Sequence, residues 1–349
     1  PCPTLPTRTP MAFTAADQAE WEQKAEEIIF TAGTTDSLNM LSQMLEPTIR
    51  TGQQIIVSAM EHHSNLIPWQ ELCQRTGAVL TILHMDRNCD LDLTQLGQLL
   101  ERDTALVAVT WVSNVLGTVN PVGEITMMSH AAGAMTVLDG AQALKLPEID
   151  VTAVDCDFLA FSGHKLGALT GIGVLYGKSG ILSQLPPVRF GGGMIRESQY
   201  AASSYGGVPQ RFEAGTPNYV GAISLGCAME YLQSVGRMEL AQQEQTLTNL
   251  LLQELAEISE VTVIGTPNRP CGVVSFVVPG IHPFDLGAML DSQGIAVRTG
   301  HMCAQPLVNR LGYDSVIRVS PAFYNTEQEI LGFISALKRT IPLLKGEWT

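Results

Sequence analysis

Short apolar runs punctuate the first half of this chain: "EEIIF" (26–30), "QQIIVSAM" (53–60), "AVLTILHM" (78–85), "ALVAVTWV" (105–112), "AMTVLD" (134–139), "DFLAF" (157–161) and "GIGVLYG" (171–177). They are rich in β-formers and largely unbroken rather than alternating, the mark of strands buried on both faces. Helix-like stretches such as "TTDSLNMLSQML" and "VGEITMMSHAAG" separate several of them. The pattern predicts an α/β fold on a mostly parallel central sheet with helices on both faces. From about Pro217 the texture changes to long helical segments, "VGAISLGCAMEYLQSV" and "LAQQEQTLTNLLLQELAEI". After them "GVVSFVVPG", "PFDLGAMLDSQG", "IAVRTG" and "EQEILGFISALKRTI" describe a small C-terminal α+β domain. The expected division is a tail over 1–24, a large domain over 25–235 and a small domain over 236–349. The Gly- and Ser-rich "RFGGGMIRESQYAASSYGG" (189–207) reads as a long surface loop. The run "GIAV" (294–297) reads as a buried strand leading into "RTGHMCAQP".

Composition narrows the function classes. With 45% hydrophobic and 15% charged residues, most of the chain can fill a globular core. A net charge of -14 repels phosphate backbones and anionic lipid, which argues against nucleic-acid and membrane partners. No apolar stretch approaches the roughly 18 residues of a membrane span, and "PCPTLPTRTPMAF" lacks the apolar core of a secretory signal. Seven cysteines, an odd number with no C-x-x-C, argue against a disulfide framework. The reading is a soluble, cytoplasmic chain, an organelle being left open. A metal at Cys303 would need three further ligands, and only His301 sits close in sequence, so none is expected.

The polar residues at the ends of the apolar runs carry the functional signal, since ligands of open parallel sheets gather at the carboxyl ends of strands. "IIFTAGTTDSLN" runs through Gly33 and Thr34 into a helix, an anion site by its free N–H groups and hydroxyls, or simply a cap. "VLDGAQA" closes its run with Asp139, followed by Gln142. "FLAFSGHKLG" closes with Ser162, His164 and Lys165, a lysine that could equally snorkel to solvent. "SAMEHHSN" delivers His62 and His63, and "TWVSNVLGT" delivers Asn114. Each has a structural use of its own. Together they offer a Schiff-base lysine, an acid for a pyridinium proton, an imidazole to stack on a ring and a helix end for a phosphate, the parts of a pyridoxal-phosphate site.

"EHHSNLIPWQ", "VSNVLGTVNP", "LDGAQA", "FSGHK", "TGIGVLYG", "FEAGTPN", "RTGHMCAQP" and "RVSPAFYNT" follow in an order that resembles the SufS-type (group II) cysteine desulfurases, fold-type I pyridoxal-phosphate enzymes of aminotransferase class V. The resemblance runs from about Ala25 to the C-terminus. It implies a fold-type I transferase with the cofactor in the large domain and the nucleophilic cysteine in the small one. Position by position, it implies Lys165 as the Schiff-base lysine and His62 as the ring-stacking histidine. Asp139 would pair with the pyridine nitrogen, Gln142 with the phenolic oxygen, and Asn114 would border cofactor and substrate. Thr34, Ser162 and His164 would hold the phosphate, and Thr216 would reach the phosphate of a partner subunit, which implies a homodimer. Arg318 would clamp the substrate carboxylate in its bidentate fork, with Arg298 beside it.

The implied reaction converts L-cysteine to L-alanine, leaving a persulfide on Cys303 that supplies sulfur for iron–sulfur cluster assembly. Attack requires a thiolate, so a nearby charge or base must lower the thiol from its usual pKa of about 8.5; Arg298 and His301 are within sequence reach. The short spacing from "RTGH" to "CAQP" resembles the group that hands its persulfide to a SufE- or SufU-like protein. Three departures stand beside the resemblance. Gly167-Ala168-Leu169 replaces the family's Tyr-Gly-Pro, and Ala32 replaces an arginine. The family's N-terminal Asp-(Asn/Ser)-Ala-Ala-Thr motif has no counterpart, so residues 1–24 are expected to be a divergent or truncated tail. Alternatives are selenocysteine lyase or cysteine sulfinate desulfinase activity on the same groups, or a catalytically weak homologue acting as partner or scaffold.

Overall fold

A computed structural model describes residues 22–346. All but the last three residues of the expected 1–24 tail fall outside them. The seven apolar runs each form one strand: β1 (Ile28–Thr31), β2 (Gln54–Ser58), β3 (Val79–Leu83), β4 (Thr104–Thr110), β5 (Met135–Asp139), β6 (Phe158–Ser162) and β7 (Gly173–Gly177). They share one sheet in the order β1-β7-β6-β5-β4-β2-β3. The neighbours from β6 to β3 pair parallel, while β7 runs antiparallel to both β6 and β1.

Burial on both sides explains the unbroken apolar runs. On one face Ile56, Val107, Val109, Leu138, Leu159 and Val174 pack in one cluster with Val122 and Ile125 of the helix Val122–Ala131. On the other, Ile55, Val57, Leu106, Ala108, Val137, Phe158 and Leu175 pack against Leu38, Leu41 and Met44 of the helix Thr34–Leu45. Successive residues of a strand point to opposite faces, so apolar residues at every position follow directly. The edge strand β3 departs from this: Val79 is exposed and only Leu83 is buried.

Two expectations need correction. Residues 189–207 are not wholly loop, because they carry an exposed antiparallel hairpin of β8 (Ile195–Ser198) and β9 (Ser203–Tyr205). The run 294–297 is not a buried strand: it lies outside regular structure with Gly294 and Ala296 exposed. The strand comes next, at Arg298–Gly300.

That strand, β12 (Arg298–Gly300), belongs to a four-stranded antiparallel sheet with β10 (Thr262–Val263), β11 (Val274–Val277) and β13 (Val316–Val319), in the order β10-β11-β13-β12. Helices Arg237–Ala256, Pro283–Asp291 and Glu327–Lys345 cover it, and Leu251, Phe276, Leu286, Ile317 and Phe333 fill the core between. Thr326 and Glu329 open the last helix with a capping box. The register of β12 against β13 sets Arg298 opposite Arg318, so two guanidinium groups start from one end of this small sheet. No helix among the described residues is long and apolar enough to cross a membrane.

Candidate active site

The carboxyl ends of the parallel strands and the β12–β13 end of the small sheet enclose a cavity of about 220 Å³. Its wall includes Thr34, His62, Asn114, Asp139, Gln142, Ser162, His164, Lys165, Arg298, Cys303 and Arg318. Eleven side chains picked out along nearly 300 residues of sequence thus share one space. Thr216 does not: it is exposed and outside this wall. His301 is exposed and also lies outside it.

The helix Thr34–Leu45 begins at the cavity, its first N–H turned into a hydroxyl cluster. Ser162 Oγ, at the end of β6, accepts from Thr34 N–H at 2.8 Å and makes a second hydrogen bond, 2.8 Å long, with Thr34 Oγ1. Thr35 Oγ1 meets Ser64 Oγ at 2.6 Å. Gly33 caps this helix at φ 148°, and a Cβ there would stand 3.0 Å from Ser162 Oγ. A glycine is needed for the strand and helix to come this close.

Electrostatics divides the charged groups. Asp139 is buried at the end of β5; burial raises its pKa to about 6, against the Ala141 N–H bond at 2.9 Å and the Lys165 charge. Lys165 is lowered by burial, then by Arg318, with Asp139 pulling the other way. The free amine is therefore favoured relative to an exposed lysine. His62 is lowered to about 4 by burial, His63 and Lys165. Its Nδ1 accepts from Ser64 N–H at 3.0 Å, so the ring is neutral with the proton on Nε2.

Cys303 occupies a four-residue link, 301–304, between β12 and the helix Gln305–Arg310. Met302 and Cys303 both adopt left-handed backbone, φ 56° and 55°, which non-glycine residues rarely do without support. The support comes from the large domain. Asn114 Nδ2 donates to Met302 O at 2.7 Å, His63 N–H donates to Cys303 O at 2.7 Å, and Gln305 N–H donates to His63 Nε2 at 3.2 Å. The Cys303 side is exposed while the link is stapled from below. Arg318 Nη1 donates to Asn114 O at 2.9 Å, whereas its buried Nε has no hydrogen-bond partner. A buried charged donor left unpaired is costly, and an anion beside Arg318 would satisfy it.

Two contributors went unnoticed in the sequence. His63, beside His62 in sequence, ties down the cysteine link. Glu61, fully buried, receives hydrogen bonds from Asn65 Nδ2 at 2.6 Å and Thr110 N–H at 2.9 Å and also bonds Ser58 Oγ. Burial raises it to about 8. Its position immediately after the run 53–60 was the available signal.

The residues fit pyridoxal phosphate. Hydroxyls and a helix start suit the phosphate, a buried carboxylate suits the pyridine nitrogen, a neutral imidazole suits the ring, and a lysine with a favoured free amine stands among them. No group of three or more His, Cys, Asp or Glu among the described residues could hold a metal ion.

Comparison with known proteins agrees with this chemistry. The profile of the aminotransferase class-V family matches residues 16–333. A cysteine desulfurase of Dickeya dadantii is 45% identical over 322 residues, 92% of this chain and 78% of the relative. One of Escherichia coli is 43% identical over 324 residues, 92% and 80% of the two chains. Among solved structures, the apo cysteine desulfurase of Thermococcus onnurineus superposes with a TM-score of 0.88 at 38% identity, covering 92% of this chain and 80% of that one. The Escherichia coli desulfurase CsdA gives 0.88 at 35% identity, covering 94% and 82%. With a matching family profile across most of the chain and relatives at this identity, the chain belongs to the aminotransferase class-V family and, within it, to the cysteine desulfurases.

Proposed function

We propose that this chain converts L-cysteine to L-alanine and takes the sulfur onto Cys303 as a persulfide. The observation that carries the reading is the cavity itself: Lys165, Asp139, His62 and Cys303 line it together with Arg318, whose Nε is buried and unpaired. Pyridoxal phosphate, when bound, supplies the electron sink that makes the substrate's Cα proton acidic and its sulfur electrophilic. Residues 25–235 would hold it, through Thr34, Ser162 and His164 at the phosphate, His62 on the ring, Asp139 at the pyridine nitrogen and Gln142 at the phenolic oxygen.

The remaining steps belong to the chain. Arg318 binds the substrate carboxylate through its free Nε, with Asn114 and Arg298 bordering the amino acid. Lys165 holds the cofactor before substrate arrives, then moves the Cα proton as a base favoured in its neutral form. The Cys303 thiolate attacks the substrate sulfur: an S–S bond forms, the C–S bond breaks with its electrons passing to Cβ, Cβ takes a proton, and Lys165 returns the proton to Cα to give alanine. The stapled link presents Cys303 at a fixed distance, and its exposure leaves the persulfide open to an acceptor.

A four-residue link supports the SufS-type subgroup, with a SufE- or SufU-like protein drawing off the sulfur for iron–sulfur assembly. Exposed Tyr219, Val220 and Ile223 beside Thr216 support a homodimer in which Thr216 reaches the partner's phosphate. The test is an absorbance spectrum with pyridoxal phosphate, followed by an alanine assay with L-cysteine. The wild type should show a visible band and release alanine, and Lys165→Ala should lose both. Borohydride labelling of a different lysine would overturn the assignment.

A further inference from the structure

Lys145 lies three residues beyond Gln142, in the single turn Ala143–Lys145 that follows β5. Its Nζ crosses to the small domain, donating to Gly272 O at 3.3 Å and Pro321 O at 3.4 Å, with Glu244 Oε2 at 3.8 Å. Pro321 stands three residues after Arg318, just past the end of β13. Glu244 Oε1 accepts from Phe323 N–H at 3.2 Å, so Lys145 and Glu244 grip the same short segment after β13. Two further features hold the grip in place. Arg237 donates to Leu144 O at 3.2 Å and Leu146 O at 2.8 Å, the carbonyls flanking Lys145. Gly272, at φ 54°, sits tight against the pair: a Cβ would stand 3.0 Å from Lys145 Nζ and 3.1 Å from Glu244 Oε2. The pair is largely buried, at 21% and 9% side-chain exposure, where removing one partner has a large effect.

We infer that Lys145 is a positioning residue, which sets Arg318 against the Asp139–Gln142 strand end by pinning the segment after β13 to the turn after β5. The inference rests on the reading of Arg318 as the carboxylate-binding group. Lys145 lies outside the wall of the cavity that Lys165, Asp139 and Cys303 share. Its effect falls on the substrate's carboxylate end, because it locks the strand that carries Arg318 to the strand end that faces the cofactor. Positioning errors of about 1 Å can cost on the order of 100-fold in rate, and a partial loss of register should show first as weaker substrate binding.

The experiment compares wild type, Lys145→Met, Lys145→Arg and Arg318→Lys, each loaded with pyridoxal phosphate. It reads the cofactor absorbance, kcat and KM for L-cysteine, and the spectral titration of L-cysteine against cysteamine, which lacks the carboxylate. Lys145→Met should keep the absorbance and raise KM about tenfold with kcat within about threefold, as lost hydrogen bonds to a charge predict. Its preference for L-cysteine over cysteamine should fall by a similar factor, and Lys145→Arg should restore part of it. Unchanged KM and preference in Lys145→Met overturn the inference, as does loss of absorbance or equal weakening toward both ligands. If Arg318→Lys leaves the preference intact, the carboxylate reading fails first. If Arg318→Lys lowers it and Lys145→Met does not, only the positioning role is lost.

Discussion

At the scale of single residues, the site combines groups whose charges are set by burial. Glu61 shows this most clearly, since its carboxyl, ordinarily near 4.5, is held at about 8. Between those values the folded chain keeps a proton that the unfolded chain has released, so this contribution to stability falls as pH rises. His62, lowered from 6.5 to about 4, acts in the opposite sense below 6.5. Between pH 6.5 and 8 the Glu61 effect is therefore unopposed by His62. Glu61→Gln keeps the shape and the acceptor for Thr110 N–H but removes the titration. The melting temperature of wild type, measured against that of Glu61→Gln, should decline steadily from pH 6.5 to 8; a constant difference would contradict the assignment. Lys165, Asp139 and His62 were legible in the sequence because each closes or follows an apolar run with a group such a position rarely needs. Glu61 and His63 were not, because their roles depend on Thr110 and Gln305, which are distant in sequence. The unpaired Arg318 Nε is a property of three-dimensional burial alone.

At the scale of elements, the meeting of β1, β7 and the helix Thr34–Leu45 shapes the hydroxyl-lined end of the cavity. Gly173, which opens β7, lies against Gly33 Cα, and a Cβ there would also stand 2.6 Å from Phe161 O. Backbone cannot yield as a side chain does, so Gly173→Ala should move the helix start away from Ser162. The expected cost is ~1–3 kcal/mol of stability, typical of overpacking, together with a cofactor dissociation constant raised at least several-fold. Thermal denaturation and a pyridoxal-phosphate titration check both, and unchanged cofactor affinity would contradict the account. The strands themselves were readable because both faces are buried, and burial leaves an unbroken apolar run. Two readings failed where burial and apolar pattern part company. The exposed hairpin Ile195–Ser198 with Ser203–Tyr205 has no buried face to leave an apolar pattern. The run 294–297 is apolar yet only half-buried, while β12 beside it holds its place by pairing with β13.

At the scale of the whole molecule, two sheets built from opposite ends of the chain contribute to one cavity. The parallel sheet brings Lys165 and the groups around it; the small antiparallel sheet brings Arg298, Arg318 and the link bearing Cys303. Asn114 and His63 staple that link to the parallel sheet, and Lys145 pins the segment after β13, so the two halves are registered at both sides of the cavity. The order of motifs along the sequence announced this convergence, while the contacts that hold the halves in register were not readable from it. The most direct measurement is mass spectrometry of the Cys303 peptide after pyridoxal-phosphate-loaded protein meets L-cysteine without reductant, with alanine counted in the same sample. The account predicts one added sulfur atom on Cys303, matched by one alanine in the first turnover, and neither sulfur transfer nor sustained alanine release in Cys303→Ser. Alanine formed while Cys303 stays unmodified, or sulfur found instead on a cysteine such as Cys227, would contradict it.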